Sequence, residues 1–204
     1  KYLKGDSFNI VYNRFQAVTD KFNAPLAHRK LNCNYSTKNI KEIISQMPAL
    51  LNDITTPSGN KLINCKGVIY VPNNKDDYSY SKELKNNLES SGIMCFQINK
   101  ENSNYKKQLE VYKKELSPTK ILIFKGMGRV GFSDNEVQWV FDLQNGKGNS
   151  KEVYQKACRA TRVNDAKCGT YISCADSNSR LLLPDGNSYD AQILEHCTDE
   201  YNTI

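Results

Sequence analysis

KILIFKGMGRVGFSDNEVQWVFDLQNGKGNSKEVYQKACRATR, residues 120–162, is the stretch that decides the fold. It begins with an apolar run, Ile121, Leu122, Ile123 and Phe124, short enough to be a strand buried on both faces. A glycine-bearing loop at 126–134 follows, and then a second apolar run at 137–143. Past Gly146 and Gly148, the residues from Lys151 predict a helix in which Gln155, Arg159 and Arg162 stand at i, i+4 and i+7 and share one face. Two buried strands would then present a glycine loop and a double-arginine helix at one sheet end.

An arginine pair on one helical face suits phosphate, because guanidinium keeps its charge and offers forked donors to phosphate oxygens. Gln155, one turn earlier, adds neutral donors and an acceptor. Taken alone, the same arginines also read as an ordinary solvated face.

Upstream, Ile40, Ile43, Ile44, Met47 and Leu51 follow helical spacing, with Ser36 or Thr37 as N-cap and Pro48 late in the run. This predicts a helix of about three turns lying on the sheet. TTPSGNK at 55–61 forms a turn, and KGVIYVPN at 66–73 a strand closed by Pro72. Leu84 and Leu88 mark a second helix ending at Gly92, and IMCFQI at 93–98 a second strand. Tyr105, Leu109, Tyr112 and Leu116 mark a third helix, which Pro118 stops, and GTYIS at 169–173 the last strand. Trp139, on a central strand, reads as core rather than as a base-stacking platform. The alternation predicts an α/β fold: a mainly parallel sheet with helices on both faces and ligand contacts beyond the carboxyl ends of its strands.

Residues 1–35 carry Phe8, Tyr12, Phe15 and Phe22 without a sustained period and read as a lead-in from a preceding domain. Residues 36–174 form the folded lobe. Residues 175–204 form an extension with a turn at Pro184, Asp185 and Gly186 and a helix around Ile193, Leu194 and Cys197.

A chain of 204 residues buries one good core. Its composition, 39% hydrophobic and 25% charged, is that of an ordinary globular protein, and its net charge of +6 favours an anionic partner. No apolar run reaches the about 18 residues of a membrane span. KYLKGDSFNIVYNRF lacks both an initiator methionine and a secretory apolar core, so an internal piece of a longer intracellular polypeptide is expected, cytoplasmic or viral. The seven cysteines are odd in number and contain no C-x-x-C pair, and neither His28 nor His196 falls in a zinc spacing, so reduced thiols and no metal site are expected.

The loop and helix at 131–162 resemble the fifth and sixth motifs of superfamily 2 helicases and translocases. The sixth motif reads Q-R-x-G-R-x-G-R, and here Gln155, Lys156, Ala157, Cys158, Arg159, Ala160, Thr161 and Arg162 stand in the same frame. Cys158 and Thr161 replace the two glycines, and Lys156 keeps a positive charge. Against the fifth motif's Gly-Φ-Asp core, Gly131 and Phe132 match, Ser133 takes the acidic position, and Asp134 comes one residue later. KGVIYVPN resembles the fourth motif, the first strand of the second RecA-like lobe. The run at 149–162 and the tail around residues 188–201 are similar to the large-DNA-virus, poxvirus-type transcription-associated nucleoside triphosphatases.

The resemblance implies a RecA-like second lobe of a nucleic-acid-dependent ATPase. ATP and Mg²⁺ would be held mainly by a first RecA-like lobe of the same polypeptide, because no G-x-x-x-x-G-K-[ST] segment and no Asp-Glu-x-His or Asp-Glu-x-Asp run occurs here. This piece alone should not hydrolyse ATP. Arg162 would be the arginine finger, Arg159 would help hold the phosphates, and Gln155 would orient the arginines or the attacking water. Gly131 and Asp134 would join Arg159 and Arg162 at the nucleotide. DNA or RNA would cross the strand-end loops, touching Lys125, Gly126, Gly128 and Arg129, with Asn73 and Asn74 beside them. Two rivals stand beside this reading. One is a non-catalytic helicase-like interaction module, favoured by the replaced glycines and Ser133. The other is an unrelated doubly wound nucleotide- or small-molecule-binding domain with Gly126, Met127 and Gly128 as a phosphate loop.

Overall fold

Apolar runs that no polar residue interrupts become strands covered on both sides. In the computed structural model, which describes residues 24, 26–30, 37–72, 77–99, 104–115, 120–125, 133–144, 155–162 and 168–173, these are β2 (Gly67–Val71), β4 (Lys120–Lys125), β5 (Trp139–Asp142) and β6 (Gly169–Ser173), buried throughout. They join β1 (Leu26–Lys30) and β3 (Met94–Asn99) in a six-stranded sheet of order β1-β6-β5-β2-β4-β3, with every pairing parallel. The predicted parallel α/β architecture is therefore observed. The strand at Leu26–Lys30 was not anticipated; it lies along β6 at the sheet edge.

Helices cover both faces. α1 (Thr37–Asp53) and α2 (Asp77–Ser90) pack Ile40, Ile44, Met47, Leu51, Leu84 and Leu88 against Ile69, Ile123, Trp139, Phe141 and Ile172. α3 (Tyr105–Lys114) lays Tyr112, flanked by Leu109, on the opposite face with Val68, Tyr70, Leu122, Phe124 and Tyr171. Topology dictates this placement. The step from β2 to β3 crosses the sheet one way and the step from β3 to β4 returns, so right-handed crossovers put α2 and α3 on opposite faces.

α1 has 17 residues, longer than the three turns expected. Pro48 has no N–H for the Ile44 carbonyl, but the helix continues because Asn87 of α2 donates its side-chain amide to that carbonyl at 2.5 Å. α2 ends as its glycine predicts: Gly92 takes φ +74°, Ile93 N donates to Leu88 O, and Gly92 N donates to Glu89 O, a Schellman closure. Trp139 is core, as read, with its indole N–H donated to the carbonyls of Leu62 (2.9 Å) and Cys65 (3.3 Å).

Candidate functional site

The predicted arginine helix does not continue to Arg162. Among the described residues Gln155–Ala157 is helical, and residues 158–161 turn through bonds from Arg159 N to Lys156 O, Ala160 N to Ala157 O and Thr161 N to Cys158 O. Gln155, Arg159 and Arg162 therefore do not share one face. Gln155 and Arg162 are exposed and Arg159 is buried. The three-residue pitch of the turn stacks Ala157 with Ala160 on the sheet and Lys156 with Arg159, all buried, whereas Arg162 lies past the last of these bonds and is exposed. Gly169 makes room, since a Cβ there would stand 2.4 Å from the Ala160 carbonyl oxygen. Ala24 N closes the turn from outside by donating to Thr161 O at 2.9 Å.

Beneath the turn lies a polar cluster that the sequence did not reveal. Asp142 ends β5 with its carboxylate fully buried. It pairs with Lys156 Nζ at 2.7 Å and accepts from the Tyr171 hydroxyl at 2.6 Å and from Gln144 N at 3.0 Å. Its register partner on β2 is Tyr70, whose ring lies 5.7 Å below the Lys156 ammonium. The Tyr70 hydroxyl accepts a hydrogen bond from the Arg159 guanidinium. Burial drives the Tyr70 hydroxyl well above its ordinary range, the Arg159 charge and hydrogen bond work against that rise, and the Asp142 carboxylate adds to it. The only sequence hints were a carboxylate closing an apolar run and a tyrosine inside KGVIYV.

This cluster occupies the place where the topology turns. The helix after β2 lies on one face and the turn after β5 on the other, so β2 and β5 flank the crevice at which open parallel sheets take ligands.

Asp134, expected at the nucleotide, stands elsewhere. It pairs with the buried Lys66 at 2.7 Å, as Glu136 does at 2.6 Å, just ahead of β2 and β5. Lys66 precedes the first residue of β2, whereas Tyr70 is the fourth, a separation of roughly 13 Å at about 3.3 Å per residue. Burial opposes the Lys66 charge, but the hydrogen bonds and charges of Asp134 and Glu136 outweigh it and raise its pKa. Lys120 Nζ, 5.1 Å from the Tyr112 ring, donates to the carbonyls of Tyr112 (2.5 Å) and Glu115 at the end of α3; burial and the neighbouring Lys66 lower its pKa. Asp134 thus belongs to a structural cluster at the amino ends of the strands, and the structure does not bring it together with Arg159.

Lys125, expected at nucleic acid, is the last residue of β4 and is buried, paired in register with Val71 and Asn99. Asn73, Asn74, Gly126, Gly128, Arg129, Gly131 and the expected helix near residue 193 lie outside the described residues. Among the described residues no group of three or more His, Cys, Asp or Glu could hold a metal ion, and no helix is long and apolar enough to cross a membrane.

Sheet order, faces and crevice define a RecA-like α/β lobe, and solved structures share that fold. Domain 2 of the DEAD-box helicase Mss116p, bound to an RNA duplex, matches at TM-score 0.56 and 14% identity over 85% of this chain and 70% of that one. The C-terminal domain of the DEAD-box protein Dbp5 matches at 0.50 and 14% over 88% of each chain. The E. coli DExH-box NTPase HrpB matches at 0.55 and 9% over 83% of this chain, which spans about a fifth (21%) of HrpB. Identities this low are a likeness of fold. No protein-family model and no curated protein matches the sequence.

Proposed function

We propose that this chain is the second RecA-like lobe of a superfamily 2 nucleic-acid-dependent ATPase, and that it offers Arg162 to the phosphates of ATP held by a separate first lobe. The observation that supports this most is the division within the arginine turn. Arg159 is held inside the lobe on Tyr70, while Arg162, three residues on, is exposed. An exposed guanidinium on a pinned turn suits a triphosphate, whose developing negative charge in the transition state is met by a preorganised cation. Magnesium is assigned to the other lobe, since Asp142 and Asp134 are already committed to Lys156 and Lys66. ATP supplies the phosphoryl group; this lobe binds and orients it. The net charge of +6 fits a DNA or RNA partner crossing the strand-end loops. The likeness to poxvirus-type enzymes enters no step of this reading.

The burial of Arg159 favours a second reading, a helicase-like module without catalysis. ATP hydrolysis by the polypeptide that joins this chain to a lobe carrying a Walker-type lysine separates the two. Under the motor reading Arg162→Ala lowers turnover by on the order of 10³ and leaves salt-dependent nucleic-acid binding in place. Equal turnover in variant and parent removes the finger assignment, and no turnover in the parent favours the module.

A further inference from the structure

Naming Arg162 as the finger assigns nothing to the buried cluster of Asp142, Lys156 and Tyr171, and the chemistry of that cluster asks for a role. A lysine and a carboxylate sealed at 4% and 0% exposure lose their hydration, and their mutual attraction about repays that loss. Apolar side chains of similar volume would fill the same space as well. What the pair supplies, and apolar groups would not, is a fixed point: Lys156 Nζ is held at 2.7 Å by Asp142 Oδ2, which also accepts from Tyr171 OH, while Gln144 N holds the carboxylate's other oxygen, Oδ1.

From that point the chain has little freedom. Three successive i to i+3 bonds run from Lys156 O through Cys158 O, and Thr161 Oγ1 adds a bond to Cys158 O at 3.2 Å. The Ala160 carbonyl rests against Gly169. Wherever Lys156 is fixed, Arg159 and Arg162 follow at set offsets. We propose that Asp142 is a positioning residue: through Lys156 it sets the register of the arginine turn and so the aim of Arg162. This rests on the arginine-finger reading.

The test uses the two-lobe polypeptide and the double variant Asp142→Leu with Lys156→Met, which removes both charges and leaves no unpaired ion. The double variant keeps its thermal midpoint to within about 10 °C, because removing a buried pair together is close to neutral and the Tyr171 hydroxyl left without its acceptor costs only about 1–3 kcal/mol. Its kcat for ATP falls at least about 10-fold while KM changes less than about 3-fold, the signature of lost alignment in the transition state. Lys156→Arg, which keeps the ion pair, restores kcat to within about 3-fold of the parent. A folded double variant with the parent's kcat overturns the proposal. Loss of folding in the double variant overturns it too, since the pair would then serve stability rather than aim. Failure here is distinct from failure of the finger reading: if Arg162→Ala abolishes turnover and the double variant does not, only the positioning role falls.

Discussion

Asn87 donates its side-chain amide to the carbonyl of Ile44 at 2.5 Å, the carbonyl that Pro48 leaves without its in-helix donor. A second bond reaches Ser45 O at 3.2 Å. Asn87→Ala should therefore cost about 1–2 kcal/mol in urea unfolding, the penalty for stranding a part-buried acceptor. In a Pro48→Ala background residue 48 regains its N–H, so the same substitution should cost less by at least about 0.5 kcal/mol. Additive costs in the double-mutant cycle would show that Asn87 does not stand in for the missing donor.

Gly67 and Trp139 are register partners on β2 and β5, and the indole covers the glycine. A Cβ at residue 67 would fall 1.9 Å from Trp139 Cε2, deep inside contact distance. The indole has little freedom to retreat, because its N–H is bonded to Leu62 O and Cys65 O. Gly67→Ala should destabilise the lobe by about 3 kcal/mol or more, at the upper end of overpacking costs. An unfolding midpoint equal to the parent's would mean that the indole relocates freely.

The Val-, Ile- and Phe-rich runs of β2, β4 and β5 announced themselves because a strand buried on both faces has no polar position to break its pattern. Gly92 announced the end of α2 by the same local logic. β1 did not, since LAHRK on a sheet edge carries only a short apolar signal. Nor did the length of α1, which depends on Asn87 from another helix. The candidate site was legible as a charge pattern and not as a geometry. Arg159 is buried and bonded to Tyr70, and Asp134 is claimed by Lys66, through contacts between residues far apart in sequence.

Alkaline pH should weaken the fold in a resolvable order. Burial pushes the Cys95 thiol from its usual 9.0 up to about 12, with the Glu89 charge adding to the rise and Lys85 opposing it. The folded chain then keeps a proton that the unfolded chain releases, so this contribution is complete below pH 9 and is lost as pH climbs toward about 12. Tyr70 and Tyr112, raised mainly by burial, act in the same direction above pH 10. Lys120 acts oppositely, its lowered pKa letting the folded state shed a proton first. Urea midpoints measured from pH 8 to 11 should fall, and the fall should be shallower in Cys95→Ala. Parallel slopes in variant and parent would remove Cys95 from the account.

Arg159 and Arg162 can also be told apart without any nucleotide. Arg159 is buried and donates to the hydroxyl of Tyr70, itself closed off from water, so Arg159→Ala removes a charge-assisted bond from a site that solvent cannot refill. That loss should cost about 2–3 kcal/mol, and Tyr70→Phe, which removes the acceptor, should show a comparable part of it. Arg162 is exposed, and Arg162→Ala should stay within about 0.5 kcal/mol of the parent, as surface substitutions do. Urea unfolding of the three variants in this chain decides the matter. If Arg162→Ala destabilises as much as Arg159→Ala, both arginines are structural and no guanidinium is left to reach a ligand; if only Arg159→Ala does, the turn has one arginine that anchors and one that is presented.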